Sequence, residues 1–327
     1  MMRALTAKLG SAFSASRVPR DGHQPVTELE PAVAPPPAVA PPSTGGRERS
    51  GWRRAIRVID QSLPAKVGLV VVAFYVLLTV IGPTLAPYDP LAQNLAIRLA
   101  PPAREHLLGT DQLGRDILSR LLYGARLSVV SAVVTVVISV AIGVIAGAVA
   151  GYAGGWVDEA LMRITDVFLA FPSLILALAI AAILRPSLTN ALIAIAVTWW
   201  PTYARLMRGQ VLATRSLEYV DAARAQGFND LRIVLRHLLP NCFGPLLVQA
   251  TLDMGSIILT VAGLSFIGYG AQPPTPEWGV MVSEGRTFLQ TQWWVATAPA
   301  IAILTLVMGF NLLGDGIRDI LDPRIRG

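Results

Sequence analysis

The sequence predicts an all-α polytopic membrane protein with six transmembrane helices. Three observations carry that expectation. The 327-residue chain is 53% hydrophobic and only 15% charged, where soluble domains carry about a quarter charged residues. Its apolar residues gather in runs near 20 residues long, which as helix cover the roughly 30 Å of a hydrocarbon core. Its basic residues fall between those runs, as they do where positive charge sets the orientation of a membrane protein.

Residues 1–50 are rich in Pro, Ala and Ser, with "PAVAPPPAVAPPSTGG" at 31–46. Such a composition buries too little apolar area to offset its ordering entropy, so a disordered cytoplasmic tail is expected. No apolar core of a secretory signal occurs before residue 60. A juxtamembrane segment follows at 51–65. Its "GWRRAIRVIDQSL" reads either as an amphipathic surface helix or as a simple basic anchor.

Six spans are expected next: 67–87, one within 127–157, then about 167–184, about 186–204, one within 242–269 and about 293–314. Pro172 and Pro201 fall inside two of them, which a bundle tolerates as kinks. Gly143, Gly147 and Gly151 recur every fourth residue, a small face that lets another helix come close. Trp293 and Trp294 open the sixth span and fit an interfacial belt. With the N-terminus inside, 20 of the 27 Lys and Arg residues fall on the cytoplasmic side, six of them in 205–236. Both termini are then cytoplasmic.

One stretch breaks the apolar pattern: "EYVDAARAQGFNDLRIVLRHLLPN", 218–241. Each Arg or Asp at mid-bilayer costs about 2.5–3.5 kcal/mol on the insertion scale. Glu218, Asp221, Arg224, Asp230, Arg232 and Arg236 therefore keep this stretch out of the hydrocarbon. Ser216 is placed to cap a short helix with Glu218 and Asp221 in its first turn, and Gly227 to end it. Asn229 or Asp230 caps a second helix, with Leu231, Val234, Leu235 and Leu238 on one face. Pro240 is expected to turn the chain into the fifth span. Periodicity alone leaves two readings open, a docking surface or an ordinary amphipathic loop.

The residues "DAARAQGFNDLRIVLRHLLPN" resemble the EAA loop of ABC-importer permeases, with Asp221 in place of the usual Glu. Three further motifs, "HLLGTDQLGRDILSRLLYGARLS" (106–128), "GLSFIGYGAQPPTPEWGVM" (263–281) and "FNLLGDGIRDILDPR" (310–324), resemble the C-type permease subunits of dipeptide and oligopeptide importers. The likeness covers about residues 60–327. It implies the type I importer permease fold: a first span and external segment (66–125), a core (126–320) with a coupling loop at 216–240, and a cytoplasmic C-terminus (321–327). It implies ATP-driven uptake of di- or oligopeptides by alternating access, in a bacterial cytoplasmic membrane. The implied partners are a B-type permease, one or two cytoplasmic ATPase subunits that bind the ATP and Mg, and an extracytoplasmic peptide-binding protein. Asp221, Ala222, Ala223 and Gly227 would shape the docking face and Pro240 its exit. Glu218, Arg224, Arg232 and Arg236 belong to the same loop, the arginines pairing either with ATPase acids or with anionic lipid. Relatives that carry nickel or glutathione share most of these motifs.

Other classes fit less well. The two lysines, Lys8 and Lys66, sit in no phosphate-binding loop, so the chain is expected to be a transport subunit with no catalysis of its own. One cysteine and three scattered histidines offer no metal-ligand spacing, and the distribution of charge argues against nucleic acid. An ion-coupled secondary transporter would show paired intramembrane charges, whereas only Asp253 lies deep within a span. Asp253 is a candidate for the pathway, or a partner in an interhelical hydrogen bond. Residues 106–128 suggest an interfacial amphipathic helix, with Leu113, Ile117, Leu118, Leu121 and Leu122 opposite Arg115, Asp116 and Arg120.

Overall fold

A computed structural model describes residues 62–321. The expected tail, residues 51–61 of the juxtamembrane segment and residues 322–327 lie outside the described residues. Everything within them is helix, turn or loop, apart from one isolated bridge between Thr110 and Asp116.

Nine helices serve for description: α1 (Leu63–Leu85), α2 (Ile117–Ala153), α3 (Gly155–Leu169), α4 (Ser173–Leu184), α5 (Leu188–Thr214), α6 (Glu218–Ala225), α7 (Asp230–Ile267), α8 (Trp278–Gly285) and α9 (Trp294–Leu321). Four of them, α1, α2, α7 and α9, are long and apolar enough to cross a membrane. The expected third span is broken: α3 and α4 meet at 89°, with Pro172 at the head of α4. Proline cannot donate the bond that would join the two pieces, so the chain bends there instead of kinking gently. By contrast Pro201 stays inside α5, which runs on through it.

The fourth expected span, α5, is less apolar than those four helices and lies inside the bundle. Its Ala191, Ala194, Ile195, Tyr203, Ala204, Met207 and Val211 are all fully buried. The glycine stripe of α2 makes this possible. A Cβ on Gly143 would stand 2.4 Å from Tyr203 Cβ, one on Gly147 2.3 Å from the Ala204 carbonyl, and one on Gly151 2.9 Å from Val211. Real Cβ atoms never come that close, so α2 and α5 touch backbone to backbone along three turns, running parallel.

Other contacts fix the remaining directions. Gly68 of α1 meets Gly309 and Leu313 of α9, and Gly316 meets Ala65, so α1 and α9 are antiparallel. Gly255 of α7 faces Val307 and Asn311, and Gly314 faces Leu252, so α7 and α9 are antiparallel too. One end of the bundle thus gathers residues 86–116 and α8, and the other gathers α6 with the start of α7.

Residues 106–116 are not an interfacial helix. They are turns that lead directly into α2, which starts at Ile117 with the Asp116 side chain as its cap. Arg115, Asp116 and Arg120 point inward and are almost completely buried. The expected two-sided helix does not form there: the polar side is covered by protein, and Ile117 on the apolar side is buried as well, while Leu118, Leu121 and Leu122 are half-buried.

Candidate functional site

The polar stretch builds two connected helices, α6 and the start of α7. Glu218 and Asp221 occupy the first turn of α6, as expected. Its cap is Leu217, without a side-chain bond, because the preceding turn, closed by the Leu217 amide on the Thr214 carbonyl, carries Ser216 past the cap position. Val220 and Ala223 are the buried face, packed in one cluster with Tyr203, Met207 and Val211 of α5. Asp221, Ala222, Arg224 and Gly227 are exposed.

Gly227 ends α6 with φ +78°. The Phe228 amide donates to the Ala223 carbonyl at 3.2 Å and the Gly227 amide to the Arg224 carbonyl at 2.9 Å. Together they form the two bonds of a Schellman turn, which needs a left-handed residue in the middle. No atom lies within 4 Å of a Cβ built there, so glycine is required by backbone conformation and not by space. Asn229 then caps α7, its side chain accepting the Arg232 amide at 2.9 Å.

The second helix departs from the expected face. Leu231 and Leu235 are exposed, while Ile233 and Leu238 are fully buried. Between them, Val234–Leu238 is a π turn, closed by the Leu239 amide on the Val234 carbonyl. The expected turn at Pro240 does not occur either. Pro240 has no amide to give to the carbonyl four residues back, and the wider turn just before it carries the helix onward into the span.

Side chains tie this region down. Asn241 donates to the His237 carbonyl at 2.8 Å and to the Tyr219 hydroxyl at 3.2 Å, linking α7 to α6. The Tyr152 hydroxyl, near the end of α2, donates to Asp230, and Arg224 stands 6.0 Å from the Tyr152 ring centre. Phe228 stacks on His237 at 5.8 Å, and the Arg232 guanidinium lies over the Phe228 ring, 4.3 Å from its centre. Arg224 also pairs with Asp221 at 3.0 Å, and Arg236 remains exposed. Beside this region Arg208 of α5 holds Asp158 of α3 through two bonds at 2.5 and 2.6 Å.

The opposite end holds a second polar cluster, which reading the sequence by periodicity missed. Asp111 accepts from both Arg115 and Arg120, and Glu284 of α8 accepts from the same two guanidinium groups at 2.8–3.1 Å. Nearby, Trp278 donates to the Leu121 carbonyl at 3.0 Å. Glu277 caps α8 by accepting the Val280 amide at 3.1 Å. Burial pushes the Glu277 carboxyl above its ordinary value, against the pull of its bonds to the Gly279 and Val280 amides and to Ser265 and Ser128. The clue in sequence was the density of charge in 111–120, too high for a surface that touches lipid.

Asp253 lies in α7, 7% exposed. One carboxylate oxygen accepts from Gln249 at 3.0 Å, and the other has no hydrogen bond among the described residues. The Tyr203 hydroxyl, also buried, interacts with Asp253 across the α5–α7 contact.

Comparison with known proteins gives a consistent result. Residues 139–327 match the family described as the binding-protein-dependent transport system inner membrane component. Residues 50–102 match the N-terminal TM domain of oligopeptide transport permease C. The chain is 49% identical over 268 residues to the dipeptide transport system permease protein DppC of Escherichia coli K12, covering 80% of this chain and 89% of that one. It is 43% identical to the DppC protein of Alkalihalophilus pseudofirmus, over 85% of this chain and 91% of the relative. A probable D,D-dipeptide transport system permease protein of Escherichia coli K12 is 47% identical, over 79% and 87% of the two chains. Among solved structures, an inward-facing MetNI methionine ABC transporter chain superposes with a TM-score of 0.51 at 19% identity, over 62% of this chain and 97% of that one. That likeness concerns the fold alone.

Proposed function

Since the chain belongs to the binding-protein-dependent transport system inner membrane components, we propose that it is the C-type permease of an ATP-driven importer of di- or oligopeptides. It pairs with a B-type permease to enclose the pathway. A peptide-binding protein delivers the solute at the end that holds α8, and cytoplasmic ATPase subunits bind ATP and Mg at the end that holds α6. Both termini are then cytoplasmic, and the protein lies in a bacterial cytoplasmic membrane.

The observation that carries this reading is the α6–Gly227–α7 element. Its buried face is anchored on α5, and its exposed face offers Asp221, Ala222, Arg224 and Gly227 to a partner. A push on α6 passes to α5 through Val220 and Ala223, and to α7 through Asn241. Because α2 and α5 touch along the glycine stripe, such a push moves helices and not side chains alone. Alternating access follows if closure of the ATPase dimer rocks this core. Asp253, the buried acid with an open oxygen, is the candidate pathway group for a peptide's ammonium.

Isolation of the assembled complex, followed by ATPase assays with loaded binding protein, tests the assignment. Dipeptides or oligopeptides should stimulate hydrolysis severalfold. Stimulation by nickel or glutathione alone would redirect the substrate within the same family.

A further inference from the structure

A groove of about 360 Å³ opens between α7, α8 and α9. Its walls are Leu259, Phe266, Val282, Ile303, Leu304 and Val307, and the rest of its lining is alanine and glycine. No side chain in it is polar. Gly263 stands one helical turn from both Leu259 and Phe266, and no atom lies within 4 Å of a Cβ built on it. The missing side chain at 263 therefore leaves part of this space.

The groove has the depth of one leaflet. On α9 it runs from Ala300 to Val307, about 9–20 Å below Trp294 at 1.5 Å per residue. On α7 it reaches Leu259, about 12 Å below the helix end at Ile267. Trp293, exposed at the head of α9, marks the interface level. Half of a 30 Å hydrocarbon core is about 15 Å. Water does not settle in so apolar a lining. A helix about 10 Å across takes roughly 80 Å³ per ångström of its length, so the groove holds less than one turn. A single hydrocarbon chain does fit.

A cation stands at its mouth. The Arg286 guanidinium lies 5.6 Å from the ring centre of Phe266, the lining residue nearest the end of α7. Arg286 is exposed, and no acid occurs from 254 to 276 or from 285 to 314. Glu284 is taken by Arg115 and Arg120, and Glu277 is buried as the cap of α8. A guanidinium held at headgroup level without an acid partner is suited to donate to a phosphate.

We propose that this groove binds one anionic phospholipid, with an acyl chain laid along Gly263 and the phosphate on Arg286. The chain fills the space between α7 and α9 that Gly263 leaves. This site stands apart from the substrate and partners assigned above, and needs only that the protein spans a bilayer.

The test uses the assembled transporter in phosphatidylcholine, with a trace of phosphatidylglycerol or phosphatidylcholine carrying a diazirine on one acyl chain. Adducts are mapped by mass spectrometry and normalised to the labelling of the whole complex. Residues 259–266 and 300–307 should take about fivefold more of the phosphatidylglycerol label, as one arginine at a headgroup provides. Arg286→Gln, a change at an exposed position, should bring the two labels level. Gly263→Phe should fill the groove and lower both labels there. Equal labelling by the two lipids in the unaltered protein, or a preference that survives Arg286→Gln, overturns the site. Labelling that Gly263→Phe leaves unchanged overturns it too, because the lipid then lies elsewhere. A benzophenone amino acid at 304 should join lipid; its joining the second permease gives the groove to that subunit and contradicts the proposal.

Discussion

Arg120 reaches across 164 residues of chain to place its guanidinium 2.8 Å from the Glu284 carboxylate, and it shares that carboxylate with Arg115. Both arginines are at most 1% exposed. Two cations and two acids thus fasten α8 to the head of α2, with little net charge left over. A network of this kind adds less to stability than apolar packing would, but removing one member strands a buried charge.

Glu284→Ala should therefore destabilise the folded protein by about 3–5 kcal/mol, the usual result of breaking one side of a buried pair. Thermal unfolding of the detergent-purified complex measures it. A loss below about 1 kcal/mol would mean that water already reaches the cluster.

Gly147 and Gly209 offer a contrast between two glycines. A Cβ at Gly147 meets the Ala204 carbonyl at 2.3 Å, whereas one at Gly209 meets nothing within 4 Å. Gly147→Leu should force α2 from α5 and destabilise by about 1–3 kcal/mol or more. Gly209→Ala should be neutral or stabilising by about 0.5–1 kcal/mol, since it lies inside α5. Equal effects at the two sites would contradict the backbone contact.

The Asn229 cap is worth about 1 kcal/mol. Asn229→Ala should raise hydrogen exchange in residues 228–234 while leaving the α2–α5 core protected. A rise spread evenly over the chain would argue against a locally capped element.

Glu277 carries a pH signature. Its carboxyl is raised above 4.5 by burial, so the folded state binds the proton more tightly than the unfolded one. The stability this adds is fully present below about pH 4.5 and is lost as pH rises through the higher folded value. Glu277→Gln should flatten that decline in melting temperature toward neutral pH. Parallel curves for the two proteins would show that the carboxyl is not so perturbed.

Asp253→Asn tests the pathway role. Uptake should fall while assembly and Gln249 packing persist. Unchanged uptake in an assembled complex assigns Asp253 to the helix contact with Tyr203 instead.

Much of this was legible in the sequence, for identifiable reasons. Spans follow from runs of apolar residues, because the bilayer imposes a length. The Gly143–Gly147–Gly151 stripe and the Gly227 and Asn229 signals depend on local backbone chemistry, so they read directly. Three things did not. Periodicity assumes 3.6 residues per turn, and the π turn breaks that count, so Leu231, Leu235 and Leu238, expected on one face, are split, with the first two exposed and Leu238 buried. Pairing partners such as Glu284 lie too far along the chain for spacing to connect them with Arg115 and Arg120. The two prolines look alike in sequence, yet the chain breaks at Pro172 and the helix runs on through Pro201.

The most direct test of the central claim is peptide uptake into proteoliposomes holding this chain and its permease partner, supplied with loaded peptide-binding protein, with and without the ATPase. Uptake should appear only with the ATPase present and ATP supplied on its side, and Gly227→Trp should leave hydrolysis running while uptake falls. Uptake by the two permeases alone, driven by an ion gradient, would contradict the account.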